Sequence, residues 1–89
     1  MKPFVGAIVL VNVQSGYNNG SPLAPAIVTA VGFGASSVNV HVSYDGPVQP
    51  PDQFRLDWIT SVPFHDAEDP LKANERGVYG AFWPPEATE

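Results

Sequence analysis

Aromatic side chains offer the clearest route to chemistry in this 89-residue chain. Tyr79, Phe82 and Trp83 crowd a C-terminal segment punctuated by Gly77, Gly80 and Pro84, and Trp58 lies inside an apolar run. Flat π-faces suit the stacking of a planar ligand such as a nucleobase. Gly80 would let a ligand or a neighbouring chain approach the backbone closely. The same aromatics also suit the core and lid of a small barrel, where such rings dominate the packing energy. Arg55 and Arg76 are the only arginines. A guanidinium can clamp a phosphate or carboxylate through two hydrogen bonds. The plainer role is a surface ion pair with Asp52, Asp57 or Glu75. Thr60 and Ser61 carry hydroxyls that either reach a ligand or sit as ordinary strand residues. The candidate ligand-binding set is therefore Trp83, Phe82, Tyr79, Arg76 and Arg55, with Trp58 and Thr60 behind them.

No catalytic constellation emerges. There is no cysteine, hence no disulfide framework, thiolate metal site or cysteine nucleophile. His41 falls on the polar face of a strand, and His65 precedes Asp66 in a loop. An Asp can orient a His for acid–base work, but sequence neighbours in a loop rarely reach that geometry. Gly32-Phe33-Gly34 is a lone GxG without the third glycine of a phosphate loop, and it reads as a turn. Asp66, Glu68 and Asp69 form an acidic group that lacks the full calcium-loop pattern, and it reads as a solvated loop. The expectation is a non-enzymatic protein with no metal and no cofactor.

Composition narrows the partners. Charged residues make up 15 % of the chain, against about 25 % in average globular proteins. The net charge of −5 argues against binding long nucleic acid through its phosphates. The apolar run from Phe4 to Val13 follows a single Lys2. It is shorter than the roughly 20 residues that a bilayer span needs, so no membrane is expected. Its β-branched content suits a buried strand better than a signal segment.

These residues must be positioned by strands. Residues 5–13 (VGAIVLVNV) are apolar on both alternating faces, as in a strand that is central in a sheet or covered by a partner. A turn-rich loop over 14–25 leads to a second strand at 26–33 and, through a hairpin at 32–36, a third at 37–44. Val38, Val40, Val42 and Tyr44 share one face of the third strand, opposite Asn39, His41 and Ser43. Asp45-Gly46 marks a tight turn, and Pro47, Pro50 and Pro51 keep the next stretch extended. Residues 54–62 (FRLDWITSV) form a fourth strand that places Phe54, Leu56, Trp58, Thr60 and Val62 on one face, with Pro63 as its stop. Residues 70–76 suit one helical turn with Gly77 past its end, and residues 77–83 a short fifth strand. The fold expected is an all-β, small SH3-like barrel of four to five strands, alternatively OB-like. A single domain covers 1–85, and a flexible tail covers 86–89.

Charge is unevenly distributed. The first 44 residues carry +1 and the remainder −6, because all nine acids lie from Asp45 onward. Strands without charges are poorly protected against edge pairing, which points to coverage by a second copy. A barrel that closes its own edges is the alternative.

The order of motifs Ala26-Ile27-Val28-Thr29, Val38-Asn39-Val40-His41-Val42, Asp45-Gly46 and Trp58-Ile59-Thr60-Ser61-Val62 resembles a family of small uncharacterised proteins of tailed bacteriophages. That family ends in Trp-His-Trp-Pro, whereas Ala81-Phe82-Trp83-Pro84 stands here. Any role resting on that His does not transfer. The resemblance implies a phage origin and supplies no activity. The expected homo-oligomer, the aromatic-rich C-terminal segment, the isolated arginines and the lack of a catalytic constellation suggest a phage-encoded sponge that evades host defence by sequestering a small nucleotide immune signal between subunits. A minor virion or assembly component and an inhibitor of a host protein are the alternatives. The corresponding locations are the host cytoplasm and the virion.

Overall fold

The computed structural model describes residues 1–46 and 57–85. Five strands form a closed barrel in sequential order: β1 (Ile8–Asn12), β2 (Leu23–Val31), β3 (Ser37–Val42), β4 (Trp58–His65) and β5 (Ala81–Phe82). Successive strands pair antiparallel from β1 to β4. The two-residue β5 completes the ring, antiparallel to β1 and parallel to β4. This is the all-β, SH3-like barrel that the strand count suggested. Among the described residues no helix is long and apolar enough to cross a membrane.

A five-strand ring encloses a narrow interior, since barrel diameter grows with strand number. Val and Ala fill it: Val9, Val11, Ala24, Ala26, Val28, Val38, Val40, Val42, Val62 and Ala81 are all buried. Phe82 is fully buried but lies outside this cluster, and among the described residues it is the one large ring in the buried hydrophobic set. β1 departs from the expectation of burial on both faces. Val9 and Val11 point inward, but Leu10 is half-buried and Ile8 is exposed.

Two prolines sit inside strands. β2 starts at Leu23, earlier than expected, and contains Pro25. The Pro25 carbonyl accepts from the Ser43 amide at 2.8 Å, so Pro25 turns its backbone toward a point just past the end of β3. A missing N–H there breaks no ladder. β4 runs through Pro63 to His65 instead of stopping. The Phe64 amide donates to Ser36 on the β3 side at 3.0 Å. Pro63 therefore faces the other way, just before the pairing with β5 begins at Phe64. The expected start of this strand at 54–56, the extended prolines Pro47, Pro50 and Pro51, and the tail 86–89 lie outside the described residues.

The connections are fixed by side-chain hydrogen bonds. Asn18, 1 % exposed, donates through Nδ2 to the carbonyls of Ser21 and Leu23, and its Oδ1 accepts from the Asp45 amide at 2.6 Å. One amide thus holds two separate turns together. The helical turn α1 (Pro70–Glu75) matches the expectation. Asp69 caps its Leu71 and Lys72 amides, and Gly77 follows at φ 75°. Asn12 anchors this region to β1, donating to Asn74 and accepting from the Gly80 amide.

Asn18→Ala strands the Asp45 amide and takes one donor from each of the Ser21 and Leu23 carbonyls, the latter still accepting from the Ser21 hydroxyl, with an expected loss of roughly 1–3 kcal/mol in urea denaturation. A loss within error of zero would show that water replaces the Asn18 amide.

Candidate functional site

The outer face of the barrel is shaped by two one-residue bulges at the same level of β3. On β2, Val28 pairs with Val40 but Ala30 with Asn39, which leaves Thr29 as the extra residue. On β4, Ile59 pairs with Val40 but Val62 with Val38, which leaves two residues, Thr60 and Ser61, opposite Asn39. Ser61 adopts φ 57°, uncommon for a residue with a side chain, and its amide donates to Asn39 Oδ1 at 2.9 Å. Such a bulge shifts the alternation of inward and outward residues. Val62 and Trp58 were expected to share a face. The bulge between them sends Val62 into the core and leaves Trp58 57 % exposed on the outside, with Ile59 packed inward.

The exposed indole is not free to swing. Trp58 Nε1 donates to Thr29 Oγ1 at 3.3 Å. Trp58 belongs to β4 and Thr29 to β2, and β3 runs between them. Strands are about 4.8 Å apart, so the ring must lie across β3 along the barrel surface. More than half of the Trp58 surface stays open to solvent.

Trp58 ends a row of outward residues set by the ladders. Ile8 pairs with Ile27, Ile27 with His41, and His41 with Trp58. All four are exposed, Ile8 at 53 % and Ile27 at 47 %. Beside the row lies an open cleft of about 310 Å³, lined by Ile8, Pro25, Ala26, Ile27, His41 and Ser43. None of these lining residues is an acid, a lysine or an arginine.

The anticipated residues fall into separate groups. Trp58 and Thr60 share the outer side of β4, both exposed. Phe82 is buried outside the main core cluster, which its neighbour Ala81 joins, and stacks on His65 with centroids 5.2 Å apart. Trp83 is half-buried, packs edge-on against Phe64 and tilted against Phe4, and donates through Nε1 to the Met1 carbonyl at 2.8 Å. Both rings are engaged in packing, Trp83 against the main core cluster and Phe82 against His65. Gly80 admits no ligand: a Cβ there would lie 2.5 Å from the His65 ring and 2.6 Å from the Pro63 carbonyl. His65 Nε2 lies 3.2 Å from the Tyr79 carbonyl. Arg76 forms an ion pair with Glu68, not with Glu75. Arg55 lies outside the described residues. Tyr79 is half exposed, and partial burial raises its phenol above the ordinary 10.0.

Ile8, Ile27, Thr29, His41 and Ser43 were not anticipated as site residues. Ile8 was legible as an apolar residue on the second face of its strand. The bulges that aim Thr29 and Trp58 have no evident sequence signal. Among the described residues no group of three or more His, Cys, Asp or Glu side chains is placed to hold a metal. No protein-family model matches the chain, and comparison with curated proteins and with solved structures finds no match.

The pinned geometry and the Tyr79 environment are both open to test. Ser61→Gly removes left-handed strain and is expected to stabilise the fold by up to about 1 kcal/mol, while Ser61→Val costs roughly 1–2 kcal/mol. The reverse order in thermal denaturation would place the strain elsewhere. The raised Tyr79 phenol holds its proton more tightly in the folded chain, so the unfolded chain ionises first and stability falls as pH rises past 10.0. Tyr79→Phe is expected to lessen the drop in urea midpoint between about pH 8 and about pH 11. An unchanged drop would assign it to other groups.

Proposed function

We propose that this chain is a non-enzymatic binding protein that captures a planar heteroaromatic ring, of the nucleobase type, on the outward face of Trp58. The observation that carries this reading is the hydrogen bond from Trp58 Nε1 to Thr29, which holds an exposed indole across β3. A ring fixed before binding loses little freedom when a ligand stacks on it. Base–aromatic stacking contributes about 1–3 kcal/mol per base. Thr60 on β4, with Asn39 and His41 on β3, supplies hydrogen-bonding groups around the platform.

The finer reading is a phage-encoded sponge that sequesters a small nucleotide signal without altering it. The resemblance and the stacking platform support it. The arginine clamp adds less, because Arg76 is engaged by Glu68 and Arg55 is not described. The pocket between subunits also has less behind it, since the closed ring satisfies strand edges within one chain. A second reading, a virion or assembly component, draws on the exposed Val5, Ile8 and Ile27, which suit docking to another protein.

Titration with adenine and with AMP, followed by the indole N–H resonances in ¹H–¹⁵N spectra, tests the proposal. The Trp58 signal is expected to move saturably and the Trp83 signal to stay. Trp58→Ala is expected to weaken binding roughly tenfold or more. AMP binding tighter than adenine would favour the nucleotide form. No movement at millimolar ligand would overturn ring capture. Concentration-dependent association in analytical ultracentrifugation, lost in Ile27→Lys, would then favour the docking reading.

A further inference from the structure

We infer that the cleft beside the platform is a second subsite, so that the ligand has two parts: a flat ring on Trp58 and an apolar substituent between Ile8, Pro25 and Ile27. The inference rests on the ring-capture reading and adds the chemical class of the rest of the ligand. Continuity is the first ground. His41 pairs with Trp58 on one side and with Ile27 on the other, and it also lines the cleft. A molecule stacked on Trp58 therefore meets the cleft wall within one strand spacing, about 4.8 Å.

The second ground is composition. The cleft holds about 310 Å³, at the lower end of the range for small-ligand sites of roughly 300–1,000 Å³. Its walls are Ile8, Pro25 and Ile27, its floor is the buried Ala26, and its polar groups are the His41 ring and the Ser43 hydroxyl. Apolar walls with a few polar groups that fix orientation are the usual make-up of such a site. The third ground is charge. With no acid, lysine or arginine in the lining, an ionised substituent would exchange its hydration for mostly apolar walls. The second part of the ligand is accordingly an uncharged, largely apolar group of about the size of one ring.

N6-benzyladenine, which joins a nucleobase to one apolar ring, is the probe, with adenine as its control. Both are titrated into the full chain, and intermolecular NOEs are read at the Ile8 and Ile27 methyls. We expect N6-benzyladenine to bind at least tenfold tighter than adenine, with its benzyl protons giving NOEs to both methyls. Ile8→Ser and Ile27→Ser, each at an exposed position, are expected to reduce that ratio toward one. If adenine moves the Trp58 resonance but the benzyl group adds no affinity, or contacts other residues, the second subsite is overturned and ring capture stands. If benzyl NOEs reach the isoleucines while the Trp58 resonance stays still, ring capture fails and the two-part ligand fails with it. If neither probe is bound, both proposals fall.

Discussion

The constraint on which the rest depends is the bending of β2 and β4 around β3. A ring of only five strands curves sharply, and a strand with an extra residue bends where it bulges. Both neighbours of β3 carry that residue at the level of Asn39. Asn39 also supplies the repair, because its Oδ1 takes the Ser61 amide that the β4 bulge withdraws from regular pairing. Curvature, strain at Ser61 and the outward aim of Trp58 are thus one feature. A regular β4 in register with Val62 would turn Trp58 inward, into a core that Val and Ala already fill.

Much of the barrel was legible, for identifiable reasons. Val38, Val40 and Val42 alternate with Asn39 and His41, and the inward set is buried as the period of two demands. Pro70 and Gly77 bracket α1 because a residue without an N–H and a positive φ each fit one position of a helix, whereas Asp69, expected in a solvated acidic loop, serves as its cap. Pro63 misled, because a proline interrupts a strand only where its N–H would face a partner, and pairing direction is not written in the sequence. Trp58 misled about its face for a similar reason. One residue of slip inverts every side chain beyond it, and Thr60-Ser61 carries no glycine to announce a bulge. The C-terminal aromatics were visible as a group, but their division of labour was not. Phe82 is buried against His65 outside the main core cluster and Trp83 holds the first residue, so two of the anticipated rings serve packing.

The uneven charge takes on a different meaning once the ring is closed. Uncharged strands invite edge pairing only when they have edges. Here β5 pairs with both β1 and β4, so the case for a second copy drawn from bare edges loses its premise. What the missing charges leave is a face rather than an edge. Ile8, Ile27 and Trp58 lie on it without an acid or a lysine in their paired row. Among the described residues of a chain with net charge −5, the acids thus stay out of this paired row.

That separation decides what kind of recognition the face supports. Attraction at a distance depends on charge, and the acidic balance of this chain repels phosphates at long range. Affinity at the platform must therefore come from contact, through stacking on the indole and removal of apolar surface from water. Contact affinity rewards rigidity, since each group already held in place costs less to order on binding. The Thr29 bond fixes the indole, the ladders fix Ile8 and Ile27, and His41 lies in register between them. The Thr29 hydroxyl, by accepting the indole N–H, supplies part of that rigidity.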